Sequence, residues 1–172
     1  MIYSLLVCLA VIILDQLSKY LVVQYIAEGA TVRCIDGLFH LTYIKNRGAA
    51  FGMLADHRWV FMAVSVIAIV AIIVYMWRTK PKNMWLKTAL GMIVGGGIGN
   101  MIDRTVNGYV VDFFEVEFVN FAVFNVADAF VCVACGILIV YVIVSSVKES
   151  REAKAAALSS GESAADGQND GD

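Results

Sequence analysis

The sequence predicts a mainly α, polytopic membrane protein: four transmembrane helices, a small extracytoplasmic β patch and an interfacial segment on the same side. Three observations lead there. Of 172 residues, 60% are hydrophobic and only 16% charged, against about a quarter charged in an ordinary soluble domain. Four stretches, at about 2–26, 59–77, 84–102 and 125–147, approach the roughly 20 apolar residues that cross a bilayer. Lys and Arg gather in one short connection (Arg78, Lys80, Lys82, Lys87) and after the last stretch (Lys148, Arg151, Lys154), which marks those sides as cytoplasmic. Both termini then face the cytoplasm, and the 27–58 and 103–124 connections lie outside. Residues 1–152 form one membrane domain on this basis.

The first helix is apolar except for Asp15, Gln16, Ser18 and Lys19. Leu5-Leu6-Val7-Cys8 superficially matches a lipid-attachment cleavage box, but Val7 is large where cleavage needs a small residue, so a retained helix is expected. In the connection that follows, 31–34 and 39–44 mix β-branched and aromatic residues around Asp36-Gly37, the composition of a hairpin. The second helix is uncharged, with Trp59 and Trp77 at its ends as interfacial anchors. The third carries Gly91, Gly95 and Gly99 at four-residue spacing, a stripe that lets helix backbones approach closely. Residues 105–121 mix Phe113, Phe114, Phe118 and Phe121 with Glu115 and Glu117 and are expected along the interface. The fourth helix holds Cys132 and Cys135, a C-x-x-C in an apolar run without a nearby His, expected to act as small buried hydrophobes. From 153 to 172 the chain is Ala-, Ser- and Gly-rich and ends in Asp166, Asp170 and Asp172. It is expected to be a disordered, acidic cytoplasmic tail.

Two carboxylates stand out. Asp112 lies just outside the third and fourth helices and Asp128 opens the fourth. Ionisable groups at such depth are costly and mark chemistry or transport. A close carboxylate pair can share a proton and activate a water. Asn125 and Asp128, three apart, also suit a helix N-cap and a first-turn acid. Asp15 and Lys19, four apart, share a face and read as a structural ion pair or scaffold. Asn100 and Arg104 share a face at the outer end of the third helix, with a guanidinium fork suited to carboxylates or peptide carbonyls. Asp103 reads as its counter-charge. The two histidines, His40 and His57, show no ligand spacing, so neither metal nor cofactor is expected. No basic patch with interleaved aromatics points to nucleic acid.

Five blocks, taken together, resemble the bacterial lipoprotein signal peptidases (signal peptidase II). They are Asp15-Gln16-Leu17-Ser18-Lys19, Asn46-Arg47-Gly48-Ala49-Ala50-Phe51, Gly99-Asn100-Met101-Ile102-Asp103-Arg104, Val110-Val111-Asp112-Phe113 and Phe124-Asn125-Val126-Ala127-Asp128. They fall in the family's order across residues 1–147. The resemblance implies an aspartic endopeptidase of the bacterial cytoplasmic membrane that cuts prolipoproteins just before a diacylglyceryl-modified cysteine. It assigns Asp112 and Asp128 to the catalytic dyad. Asn46, Asn100, Arg104 and Asn125 become substrate-positioning groups, with Asp15, Lys19, Gly48, Phe51, Gly99 and Asp103 in support. It also implies membrane lipids around the site, inhibition by globomycin-type cyclic peptides and an active site toward the outer face. Nothing in the sequence demands an oligomer, so a monomer is expected. The competing classes are a proton-coupled transporter, which expects repeats with broken helices that are absent here, and a non-enzymatic membrane scaffold.

Overall fold

The computed structural model describes residues 1–48 and 58–166. Its elements run α1 (Ile2–Tyr25), β1 (Thr31–Ile35), β2 (Phe39–Asn46), α2 (Arg58–Thr79), α3 (Met84–Val106), β3 (Val110–Val116) and α4 (Val126–Asp166). Among the described residues, three helical segments are long and apolar enough to cross a membrane: Ile2–Tyr25, Trp59–Thr79 and Val126–Glu152. At 23 residues α3 has the length of a span, but its glycines and its Asn100, Asp103 and Arg104 dilute its hydropathy below that of the others.

Those glycines make α3 the hub. A Cβ on Gly91 would stand 2.7 Å from the Ser4 carbonyl oxygen, and one on Gly95 2.8 Å from that of Cys8, both on α1. On the opposite side, a Cβ on Gly96 would stand 2.7 Å from the Ala127 carbonyl oxygen of α4, and one on Gly97 would press on Ile69 of α2. Between helices in lipid, where hydrophobic burial drives nothing, this close backbone approach is what holds them. Cys8, Ile69 and Val94 fill the gap between α1, α2 and α3. Cys8 is buried, whereas Cys132 and Cys135, expected to be buried, are exposed on α4. Cys132 borders an open cavity and Cys135 lies on the helix surface, because an uncharged helix in lipid needs no inward face for its apolar groups.

The hairpin forms as the Asp36-Gly37 turn predicts, with Gly37 at φ 74 and β1 antiparallel to β2. The segment expected along the interface is in part a strand. Residues 110–116 are the third strand, antiparallel to β2 with Ile44 opposite Asp112 and Asn46 opposite Val110. The sheet order is β1-β2-β3. The strand was hidden in the sequence because Val110 to Phe113 are all buried, and a strand covered on both faces loses its alternating pattern. Val22 of α1 packs with Tyr43, Val111 and Phe113 and so seats the sheet on the end of the bundle. The chain then doubles back: Phe113 and Phe114 N–H groups both donate to the Phe124 carbonyl oxygen (3.0 and 2.7 Å).

At the other end, α4 continues to Asp166, past Ala153 where composition marks the start of a disordered tail. The alanine-rich run there has high helix propensity, and it carries the α4 backbone on.

Candidate active site

The site begins with buried charge. Asp15 (0% exposed) and Lys19 (3%) on α1 meet Asp103 (3%) on α3. Lys19 Nζ lies 2.9 Å from Asp15 Oδ2 and 3.0 Å from Asp103 Oδ2. One cation therefore serves two carboxylates, and each carboxylate ties down a further element. Asp15 Oδ1 accepts the Ala127 N–H in the first turn of α4 (3.0 Å). Asp103 Oδ2 accepts the Val111 N–H of β3 (3.1 Å). Asp103 is thus the anchor of β3 and a partner of Lys19, a different task from the expected counter-charge to Arg104. Gln16 Nε2 closes the cluster, donating to Asp15 Oδ2 (3.1 Å), Asp103 Oδ1 (3.1 Å) and the Gly99 carbonyl oxygen (3.2 Å). Buried ions survive only when their remaining lone pairs are filled, and here they are. Gly99 is required: a Cβ there would stand 2.5 Å from Asp15 Oδ2.

Lys19 Nζ also donates to Asn100 Oδ1 (2.9 Å). With that oxygen fixed, the amide nitrogen of Asn100 points to Asp128 Oδ1 (2.7 Å). Asn125, fully buried, donates from Nδ2 to both Asn100 Oδ1 (3.0 Å) and Asp112 Oδ1 (2.7 Å). Its Oδ1 accepts the Asp128 N–H (3.0 Å), while its own N–H donates to Asp128 Oδ2 (3.3 Å). The cap expected from the sequence is present in this reciprocal form, and the same residue reaches the second aspartate. Asn46 Nδ2 holds the other oxygen of Asp112 (2.8 Å). Its Oδ1 is fixed in turn by the Gly48 N–H (2.9 Å).

These side chains open on a cavity of about 500 Å³ lined by Asn46, Gly48, Asn100, Arg104, Asp112 and Asp128, and by Phe121–Phe124, Ala129 and Cys132 on the apolar side. The Arg104 guanidinium stacks on the Phe61 ring (5.3 Å) and reaches the Gly48 carbonyl oxygen at 3.5 Å. Asp112 is pushed up to about 6. Burial is the largest cause and the Asp128 charge adds to it, while hydrogen bonds from Asn46 and Asn125 work the other way. A carboxyl group so poised exchanges its proton near neutral pH, as acid–base work requires.

Of the residues singled out in the sequence, Asp15, Lys19, Asn46, Gly48, Gly99, Asn100, Asp103, Arg104, Asp112, Asn125 and Asp128 come together here. Phe51 lies outside the described residues. Gln16 and the Phe121–Phe124 wall were given no site role. Gln16 carried a signal, an amide in a membrane helix that must find partners. The wall carried none, since aromatics in a loop fit many surroundings. Among the described residues, no three His, Cys, Asp or Glu side chains gather as a metal ligand set.

Residues 7–144 match the family model described as signal peptidase (SPase) II. A lipoprotein signal peptidase of Brevibacillus brevis is 38% identical over 143 residues, 83% of this chain and 96% of that one. One of Streptococcus thermophilus is 44% identical over 131 residues, covering 76% and 86% of the two chains. The fold is also that of a bacterial membrane enzyme solved in meso at 2.3 Å, with TM-score 0.79 and 27% identity over 83% of this chain and 88% of that one. A second such structure, at 1.9 Å, matches with TM-score 0.75 and 28% identity, covering 81% and 91%.

Proposed function

Because the chain belongs to the signal peptidase II family, we propose that Asp112 and Asp128 are its catalytic pair. The protein is a hydrolase that removes signal peptides from prolipoproteins. Neither a transporter nor a scaffold accounts for membership of that family. The observation carrying the residue assignment is the convergence of two carboxylates, Asp112 on β3 and Asp128 on α4, on one cavity and one shared neighbour, Asn125.

In this mechanism the pair holds one proton between them, because two adjacent carboxylates cannot both ionise cheaply. The ionised member takes a proton from a water, whose oxygen attacks the scissile carbonyl carbon. The protonated member donates to the carbonyl oxygen. Collapse of the tetrahedral adduct breaks the C–N bond, and the leaving amine takes up a proton from the pair. Asn46, Asn100 and Asn125 fix the carboxylates, and Arg104 faces the cavity as a donor for the extended substrate backbone. The bond cut is the one before the diacylglyceryl-modified cysteine. The apolar side of the cavity, Phe121–Phe124 and Ala129, suits its acyl chains and surrounding lipid, as well as an inhibitor of the globomycin class.

In the bilayer α3 is the fourth crossing, its sparse apolar surface compensated by α1, α2 and α4 around it. Both termini face the cytoplasm, the sheet and the dyad face outward, and the enzyme acts as a monomer. Purified protein in detergent with a diacylglyceryl-modified precursor tests the dyad. Asp112→Asn and Asp128→Asn should each lower cleavage by about a thousandfold or more with the fold intact. Undiminished cleavage in either variant removes that aspartate from the mechanism.

A further inference from the structure

About 30 Å of α3 separates its catalytic end from its start, at 1.5 Å per residue, and a second cavity lies at the start. Its volume is about 320 Å³, and its walls include Ser4 of α1, Met76 of α2, and Lys80, Pro81, Lys82 and Lys87 of the α2–α3 connection and α3. Among the described residues, none of these lysines has a carboxylate within ion-pair distance, although Lys19, Lys45 and Lys148 each do. Three lysines around one small cavity, two of them exposed and Lys87 half-buried, give it a positive potential that favours an anion.

Two further observations point to such an anion. Ser4 is 2% exposed, and its Oγ has no hydrogen-bond partner. A buried hydroxyl left unpaired costs free energy comparable to a lost hydrogen bond, so it calls for a partner. Lys80, which closes α2 by donating its N–H to the Met76 carbonyl oxygen (3.1 Å), is also the one non-glycine residue with positive φ among the described residues (φ 44). Glycine is the unstrained choice at that helix-ending position. A lysine there accepts backbone strain and brings a charge to the cavity mouth.

We propose that this cavity binds a phosphate group, supplied by an anionic phospholipid of the leaflet in which these helix ends lie. The phosphate fits a donor set of ammonium groups and a hydroxyl. The lipid source fits the flanks: Trp77 and Trp85 are 62% and 69% exposed beside the cavity-lining Met76 and the lysines, the arrangement of a membrane–water interface. The site is independent of the catalytic assignment, since its test reads lipid and not cleavage.

The full-length protein is placed in phosphatidylcholine nanodiscs and titrated with headgroup-intact fluorescent phosphatidylglycerol. Wild type should retain it in preference to the zwitterionic lipid. Lys80→Gln/Lys82→Gln/Lys87→Gln should weaken retention by about a hundredfold, at about fivefold per cation near a membrane surface. The corresponding triple arginine variant should retain it. Ser4→Ala, which leaves every charge in place, should weaken retention by about tenfold to a hundredfold, on the order of one hydrogen bond to a charged group. Cleavage activity, whose residues lie at the other end of the bundle, verifies that each variant has inserted and folded. If the glutamine variant is inactive, the Ser4→Ala comparison decides. Equal retention of both lipids by wild type, or unchanged retention in Ser4→Ala, overturns the built site. Displacement by millimolar inorganic phosphate as effectively as by lipid overturns the lipid source. Stronger retention after removal of residues 153–172 shows that the acidic tail occupies the cavity, and overturns the proposal as well.

Discussion

Asp112 is the residue whose chemistry is most exposed to measurement. With the Asp112 carboxyl pushed up to about 6, the proton of the proposed Asp112–Asp128 pair is lost from the free enzyme as pH rises through that value. kcat/KM, which reports the free enzyme, should therefore fall on the alkaline side of a limb within about one unit of pH 6. Substrate that expels water raises the carboxyl further, so the limb in kcat should lie higher. A flat profile in both parameters from pH 5 to 8 rules out a shared proton. Lys19 offers the second residue-scale prediction. Lys19→Met leaves Asp15 and Asp103 buried without their cation, and should cost about 3–5 kcal/mol of stability in detergent unfolding. Both aspartates and the lysine were visible in the sequence as polar groups in apolar stretches. Their grouping was not, because Asp103 stands next to Arg104 in sequence, while α3 turns the two side chains to different partners.

Among the elements, α3 turns glycine into close approach. Gly96→Ala would place a Cβ 2.7 Å from the Ala127 carbonyl oxygen and from a Val131 methyl. Overpacking of that kind costs about 1–3 kcal/mol, and here it also shifts the first turn of α4, which carries Asp128. A fall in both unfolding temperature and activity is expected. Gly136→Ala on α4 is the control, since a Cβ there meets nothing within 4 Å. Gaining a better helix former, it should be more stable by about 0.5–1 kcal/mol and fully active. The helices were legible from length and composition alone, with ends within about four residues of those observed, except that α4 runs on past 147 to Asp166. β3 was not. Its burial on both sides erased the two-residue rhythm, and its pairing with β2 joins residues that lie far apart in the chain.

For the whole molecule, orientation is the testable property. Cys34 is exposed on β1, whereas Lys80 lies at the opposite end of the helices. In intact cells a membrane-impermeant maleimide should label Cys34, and should label a Lys80→Cys variant with Cys34→Ser only after permeabilisation. The reverse pattern inverts the proposed topology. This orientation rests on the charge density in the connections, because the bias acts during insertion and is written in short flanks. Another property of the whole follows from where the two aspartates are mounted. Asp112 rides on a three-stranded sheet joined to the helices by the Val111–Asp103 bond, one asparagine and a small apolar cluster around Val22. Asp128 rides on the bundle itself. The bonds that set their spacing are far fewer than those that hold the helices, and such docked units open before a protein melts. Heating should therefore silence the enzyme while its helical circular dichroism is still intact, and cooling should restore it at once.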